Sequence, residues 1–228
     1  MKNYSKKVIK AHMRKMHWEE IMSNTKTYSL AEGGRLIKIA REAIATYLRD
    51  SQQIDPPHDI PDSFLEKKGV FVTLNSYPAQ ELRGCIGLPY PDKELVRAVI
   101  DAALASAFED PRFQSVDESE LDKVLVEISI MTVPEKMKVK NPEEYLKNIV
   151  IGRDGLIIKH GWNSGLLLPQ VPVEWEWNEE EYLRNLCFKA GLPGDAWQDP
   201  AVEILSFQAQ IFTEETPGGK VKEEKFKY

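Results

Sequence analysis

The segment Leu82-Arg83-Gly84-Cys85-Ile86-Gly87-Leu88 places two glycines, an arginine and one of the chain's two cysteines within one expected β-strand. Alternation along a strand puts Leu82, Gly84, Ile86 and Leu88 on one face and Arg83, Cys85 and Gly87 on the other. Glycine inside a strand marks a bulge or a close approach by a ligand or another backbone. The segment therefore predicts either a tight hairpin strand with a buried structural cysteine or a strand face that carries chemistry.

The flanking sequence predicts the element order β-β-α-β. Strands are expected at Gly69–Asn75 and Glu81–Leu88, followed by a buried helix that is capped by Asp92 and runs to about Phe108. The β-branched and apolar run from Val124 to Val133 predicts a third strand. The same element order recurs over residues 155–213. Repeated hairpins and crossing helices predict an α+β fold with mixed, mainly antiparallel sheets and flanking helices, in a larger and a smaller subdomain.

The second unit is expected to include a helix that starts at Asn178 and a single last strand from Val202 to Thr213. The first expected element of the chain is a helix that begins at Ser29-Leu30-Ala31-Glu32, a capping box. The resulting domain boundaries are an N-terminal extension over 1–28, a domain over 29–214 with subdomains at about 29–135 and 136–214, and a polar tail over 215–228.

Charge is distributed unevenly along the chain. Residues 1–18 carry +6 and no acidic side chain, whereas the formal total is −6, so residues 19–228 carry −12. A strongly acidic body repels phosphate backbones and makes nucleic acid an unlikely partner. The basic extension is interpreted either as an over-long start before Met22 or as an arm that binds an acidic partner.

Two cysteines, Cys85 and Cys187, fit a reducing cytoplasm better than a disulfide framework, and their spacing predicts no metal site. No stretch of 18 or more apolar residues occurs, so no membrane association is expected. The familiar phosphate-binding, dinucleotide-binding, nucleophile-elbow and zinc motifs are missing from the sequence, so no cofactor is expected.

Several separate motifs resemble the AMMECR domain family over about residues 29–214. They are Leu82–Gly87, Gly165–Val171, Cys187–Pro193, Gly69–Leu74 and Asp110–Phe113, in the same order and at compatible spacing. The resemblance implies the fold of that family but no assigned reaction. It also implies a link to Memo-like and radical-SAM proteins, beside which prokaryotic relatives occur, while eukaryotic relatives have been associated with gene-expression or repair machinery.

Cys85 is the candidate catalytic residue. A cysteine becomes nucleophilic when a nearby cation favours its thiolate, and Arg83 on the same strand face could supply that cation. His160 is the histidine that lies in a predicted core element, and a Cys85–His160 pair is one possible arrangement. An exposed histidine at a strand end is the commoner one.

Candidate binding residues surround Cys85; they are Arg83, Gly84, Gly87, Arg112 and Gln170. A guanidinium binds carboxylate or phosphate through two parallel hydrogen bonds, and glycines let a ligand approach the backbone. Two alternatives compete with this interpretation. Arg83 could pair internally with Glu127, a carboxylate within an apolar strand, and Arg112 could belong to a turn that ends the preceding helix.

The stretch from Leu168 to Trp177 holds two prolines, Pro169 and Pro172, which predict an extended or bulged crossing instead of a regular central strand. Gln170 within it can both donate and accept hydrogen bonds. A pocket bordered by Arg83, Cys85 and Gln170 is therefore expected.

Three functions remain open from sequence. The first is a cytoplasmic binding or accessory protein with a cleft for a small molecule or a protein partner. The second is an enzyme or modification-pathway component that uses Cys85. The third is a nucleic-acid-associated factor, which the acidic body disfavours. The oligomeric state is not indicated by the sequence.

Overall fold

A computed structural model describes residues 27–225. The α-helices are α1 Leu30–Asp50, α2 Leu95–Phe108, α3 Glu143–Asn148, α4 Val171–Glu174 and α5 Glu179–Lys189. The strands are β1 Gly69–Ser76, β2 Leu82–Leu88, β3 Val124–Met131, β4 Glu135–Lys136, β5 Gly155–His160, β6 Asn163–Leu167, β7 Glu203–Phe207, β8 Ala209–Glu214 and β9 Val221–Glu224. Short 3-10 helices cover Asp62–Leu65, Glu118–Lys123 and Ala196–Gln198.

The strands form two antiparallel sheets. The first sheet has the order β2-β1-β3-β8-β9 and the second has the order β4-β7-β5-β6. In the first sheet, β1 pairs with β2 on one side and with β3 on the other, and a register irregularity lies between Leu74 and Asn75. The α+β class and the antiparallel sheets expected from sequence are confirmed.

Helices cover the outer face of each sheet. Helices α1 and α2 bury their apolar sides on the first sheet, where the side chains of Val72, Leu74 and Ile128 are inaccessible to solvent. Helix α5 packs in the same way on the second sheet, against Leu156 and Ile158. The inner faces of the sheets meet in a small apolar cluster of Met131, Ile157, Leu168 and Phe207, with Phe71, Leu166, Val171 and Leu205 at its margin. The sheets are thus joined at one end of their inner faces.

The two units share one topology. Strands β2-β1-β3 with helix α2 and strands β6-β5-β7 with helix α5 have the same chain order and the same antiparallel pairing. In both units a glycine of the second strand lies against the backbone of the crossing helix. A Cβ on Gly84 would lie 2.1 Å from the carbonyl oxygen of Ser106, and one on Gly165 would lie 2.7 Å from the amide nitrogen of Ala190.

The structure corrects the expected C-terminal strand. Residues Val202–Thr213 do not form one strand, since β7 belongs to the second sheet and β8 to the first. Gln208 stands at the crossing, and its backbone N–H donates to the hydroxyl of Thr132. The tail predicted over 215–228 contains β9, which pairs with β8 along the sheet edge.

Two local expectations are also wrong. Helix α2 starts at Leu95 with Glu94 at the preceding position, so Asp92 does not cap it. The crossing after β6 is not extended, because Gln170 has helical backbone angles and Pro172 lies in the first turn of α4. Proline is compatible with that place because a first-turn residue needs no N–H donor.

Most of the expected N-terminal extension, residues 1–26, lies outside the described residues, and so does the alternative start at Met22. Across residues 27–225, no helix combines the length and apolar character that a membrane span requires.

Candidate functional site

A line of polar side chains crosses the whole first sheet on its inner face. The backbone register places Cys85 beside Thr73, Thr73 beside Glu127, Glu127 beside Thr213, and Thr213 beside Lys222. We call these five residues the polar row. Residues opposite one another on antiparallel strands bring their side chains within contact distance on one face. The row therefore joins a thiol, two hydroxyls, a carboxylate and an ammonium group along one surface.

The second unit shows what these positions hold when they are structural. Matching the two glycines that face the helices makes Leu166, Ile157 and Leu205 the counterparts of Cys85, Thr73 and Glu127. All three counterparts are apolar and lie in or beside the cluster that joins the sheets. The first sheet instead carries polar groups at these places, and burying polar groups costs free energy unless they are paired. The polar row is thus not required by the topology.

Gln170 approaches the row from the second unit. Its Nε2 donates a hydrogen bond to Oε1 of Glu127 at 3.3 Å. Gln170 is only 6% exposed, and its Oε1 has no hydrogen-bond partner among residues 27–225. Ser129 lies two residues from Glu127 on the same face of β3, and its buried hydroxyl likewise has no partner there. The polar row and Gln170 together form what we call the inter-sheet site.

Glu127 has a strongly altered acidity. Burial, followed by the negative charges of Glu174 and Glu224, raises its pKa from 4.5 to about 7, against smaller opposing effects of Gln170 and Lys222. Burial also raises the pKa of Glu174. Carboxylates whose pKa lies near neutrality cluster at functional sites, because both protonation states are then accessible.

Cys85 lies at one end of the row and keeps part of its surface exposed. Its Sγ accepts a hydrogen bond from the Thr73 hydroxyl at 3.3 Å, and its backbone N–H donates to Asp110 at 2.9 Å. Burial raises the pKa of the Cys85 thiol, and the lowering effects of Thr73 and Arg112 do not offset it. The environment of Cys85 therefore favours the neutral thiol over the thiolate.

The cation beside Cys85 is Arg112, not Arg83 as expected from sequence. Arg112 donates to the carbonyl oxygen of Cys85 at 3.2 Å and to both carboxylate oxygens of the buried Asp110. The hydrogen bond from Arg112 is the main reason that the pKa of Asp110 lies far below its usual value. The Asp110–Phe113 turn therefore fixes the backbone of β2 at Cys85 through hydrogen bonds to its N–H and its carbonyl oxygen. Arg112 still has a side chain that is about half exposed, at the margin of the site.

Arg83 has a structural set of partners. Its guanidinium makes two hydrogen bonds of 2.9 Å to the carboxylate of Glu120 and donates to the carbonyl oxygens of Gln114 and Ser115. The Arg83–Glu127 ion pair considered from sequence is thus wrong, and Glu120 takes the place of Glu127. The cause is the irregularity in the β1–β2 pairing next to Arg83, because a bulge re-aims the side chain that it carries.

Gly84 and Gly87 serve packing on opposite faces of β2. The missing side chain of Gly84 admits the end of α2, as described above. At Gly87 a Cβ would lie 2.3 Å from the ring of Phe71, so this ring lies directly over the glycine on the inner face. Gly87 thereby fixes Phe71 at the boundary between the apolar cluster and the polar row.

Other expected groups lie elsewhere. Cys187 is a residue of α5 and is fully buried in the core between this helix and the second sheet. His160 ends β5 opposite Asn163 at the β5–β6 hairpin. Within residues 27–225 no group of three or more histidine, cysteine, aspartate or glutamate side chains is placed to hold a metal ion.

Sequence reasoning missed Thr73, Thr213 and Lys222 as members of the site, and it considered Glu127 only as an ion-pair partner. The available signal was the pattern Val126-Glu127-Ile128-Ser129, which puts two polar side chains on one face of a buried strand. Thr73 and Thr213 interrupt apolar strands in the same way.

A separate shallow pocket of about 150 Å³ follows the end of β2, and it is lined by Leu88, Pro89, Tyr90, Asp92, Lys93 and Ala98. The ring of Tyr90 lies 4.9 Å from Nζ of Lys159 on the second sheet. This pocket contains no member of the inter-sheet site.

Two β-β-α-β units with antiparallel sheets joined face to face define the structural class of the protein. A sequence model of the AMMECR1 family matches residues 37–212, and the chain belongs to that family. A protein of Thermococcus gammatolerans is 52% identical over 193 residues, which are 83% of this chain and 94% of the relative. A protein of Methanopyrus kandleri is 50% identical over 198 residues, or 86% and 94% of the two chains.

The chain is also similar to a solved structure. The crystal structure of an uncharacterized protein from Pyrococcus horikoshii superposes with a TM-score of 0.83 at 50% sequence identity. The alignment covers 86% of this chain and 98% of the other. The resemblance to the AMMECR domain family expected from sequence is therefore confirmed.

Proposed function

We propose that this protein is a binding or accessory protein that holds its ligand at the inter-sheet site. The proposal rests on the position of Gln170. This residue of the second unit lies against the inner face of the first sheet, beside Glu127. A buried amide oxygen without a partner is costly, and a ligand donor would offset that cost.

The protonation state of the Cys85 thiol favours a role in ligand binding over a role as a covalent nucleophile. The raised pKa of its thiol keeps the nucleophilic form scarce, and its backbone is held by Asp110. Cys85 then acts as one wall of a binding site, next to the hydroxyl of Thr73. The three carboxylates of Glu127, Glu174 and Glu224 repel anionic ligands such as nucleic-acid backbones.

A fragment screen by NMR on the uniformly ¹⁵N-labelled protein tests this proposal. Binding fragments are expected to shift the backbone amides of Thr73, Glu127 and Thr213 and the side-chain amide of Gln170. The proposal fails if hits shift only the pocket around Tyr90 and Lys93. It also fails if no fragment from a diverse library shifts the inter-sheet site.

A further inference from the structure

Two buried unpartnered groups lie at the inter-sheet site and directly beside it, and both can accept hydrogen bonds. Gln170 presents Oε1, and Ser129, which is 1% exposed, presents a hydroxyl that can accept as well as donate. Both flank Glu127, one through a hydrogen bond and the other through its place two residues along the same strand face. The carboxylate of Glu127 adds further acceptor positions. A ligand that satisfies this set must be rich in donors.

The charges around Glu127 favour a positive ligand over a negative one. No direct ion pair joins Glu127 to a cation within residues 27–225. Glu174 and Glu224 add negative charge from α4 and β9, and the positive charge of Lys222 opposes it only in part. The ammonium group of the polar row belongs to Lys222, and its Nζ forms an ion pair with Oε1 of Glu224 at 2.5 Å. Arg112, beyond Cys85, is committed to Asp110. The protein's own cations near the site are therefore engaged by other carboxylates.

We infer that the inter-sheet site binds a primary ammonium group, carried by a small aliphatic amine or by a lysine side chain of a polypeptide, against Glu127, Gln170 and Ser129. This inference rests on the proposed function and names its ligand class. An ammonium group has three donors and no acceptor, which matches the three acceptor side chains. Phe71 and Val171, which are partly buried at the margin of the apolar cluster, suit contact with the alkyl chain that carries the ammonium group.

Titration with matched probes tests the inference on the full chain. The probes are Nα-acetyl-lysine-N-methylamide, its neutral analogue Nα-acetyl-norleucine-N-methylamide, which lacks the terminal amino group, and n-butylammonium chloride, each followed through the side-chain amide signal of Gln170 at pH 8. Both amines are expected to shift this signal. The affinity of the norleucine probe is expected to be lower by about tenfold or more, because it lacks the charge-assisted hydrogen bonds. Tighter binding of the lysine probe than of n-butylammonium assigns a polypeptide source, and the reverse order assigns a small amine.

Two variants complete the design. Glu127→Gln keeps the shape and the contact with Gln170 but removes the charge, so amine affinity should fall about tenfold or more. Glu223→Gln is the matched control, since Glu223 lies on β9 with its side chain on the opposite face, and affinity should be unchanged.

Each failure has a distinct meaning. Equal binding of the lysine and norleucine probes at Gln170 overturns the ammonium inference and leaves a binding site in place. Unchanged amine affinity in Glu127→Gln also overturns the inference. If neither amine shifts Gln170 while fragments do, the ligand class is wrong. If fragments fail there too, the proposed function falls with it.

Discussion

Gln170 and Glu127 join the two units of this protein by one side-chain hydrogen bond, 3.3 Å from Nε2 to Oε1. The bond links the start of α4, which follows the second sheet's hairpin, to the strand at the centre of the first sheet. A carboxylate accepts this bond in either protonation state. Its charge, however, is opposed by burial and by two neighbouring glutamates. The contact therefore connects the two units and also contains a carboxyl group that titrates near neutral pH.

Stability should depend on pH through Glu127. Its folded-state pKa of about 7 exceeds the ordinary 4.5, so its contribution to stability is complete below about pH 4.5 and is lost as pH rises through 7. Glu127→Gln, which cannot ionise, should be more stable than wild type by less than about 1 kcal/mol near pH 5 and by up to about 3 kcal/mol at pH 8, for a shift of this size. Guanidinium unfolding at both pH values measures the difference.

Several polar and charged groups face Glu127 and interact with it. They are Gln170, Glu174 on α4, Lys222 and Glu224 on β9, and Cys85 at the end of the row. The control Glu223→Gln removes a carboxylate from the opposite face of β9. An advantage of Glu127→Gln that does not change between pH 5 and pH 8 would show that Glu127 is ionised throughout.

The protein's stability should depend more on the missing side chain at Gly84 than on the thiol of Cys85. A Cβ on Gly84 would lie 2.1 Å from the backbone oxygen of Ser106, so Gly84→Val must push α2 away from the sheet. We expect a loss of about 3 kcal/mol or more for Gly84→Val, and a smaller loss, about 1 kcal/mol, for Cys85→Ala. Thermal and guanidinium unfolding of the two variants give the order.

Gly34→Ala is the matched control for a glycine that has room. It lies in α1, and an added Cβ meets nothing nearer than Val221 Cγ2 at 3.8 Å. Alanine there should stabilise the protein by about 0.5–1 kcal/mol through helix propensity. If Cys85→Ala is more destabilising than Gly84→Val, side-chain packing at Cys85 is the main constraint on this strand.

The hairpin of the first unit was predictable because local signals agree with the tertiary environment. Gly69–Asn75 was expected as a strand, and β1 covers Gly69–Ser76. The sheet change between β7 and β8 was hidden, because Leu205, Phe207 and Ile211 keep one alternation through the crossing at Gln208. An alternating pattern shows which face is buried but not which sheet buries it. Strand β9 escaped notice because Val221 is its single apolar residue, so this edge strand has no apolar alternation.

The site was predictable only in part, for a related reason. Cys85 and Gln170 were identified from unusual local sequence, and the structure brings both to the inner face of the first sheet. The partners of Arg83 depend on a bulge in strand pairing, which the sequence does not encode locally. The polar row likewise depends on the register of five strands, so Thr73, Thr213 and Lys222 could not be grouped beforehand.

Cys85 should react slowly with iodoacetamide. Its pKa is raised by burial, so at pH 7.5 the thiolate fraction is smaller than in free cysteine. A Cys187→Ser background leaves Cys85 as the single thiol, and mass spectrometry over time gives the rate. Alkylation faster than that of free cysteine under the same conditions would restore Cys85 as a nucleophile. Arg112→Gln in this background should slow the reaction further, because the positive charge of Arg112 favours the thiolate.

Arg83 should prove structural, not part of the binding surface. It holds the segment from Gln114 to Glu120 against β2 with a two-bond carboxylate contact and two carbonyl contacts, and its side chain is 17% exposed. Arg83→Lys cannot reproduce the fork and should cost about 1–3 kcal/mol in guanidinium unfolding. The exposed pair at Arg184 provides a control, since Arg184→Lys should cost less than about 0.5 kcal/mol. Affinity of n-butylammonium, followed at Gln170, should be unchanged in Arg83→Lys, whereas a loss of affinity with wild-type stability would place Arg83 in the binding site.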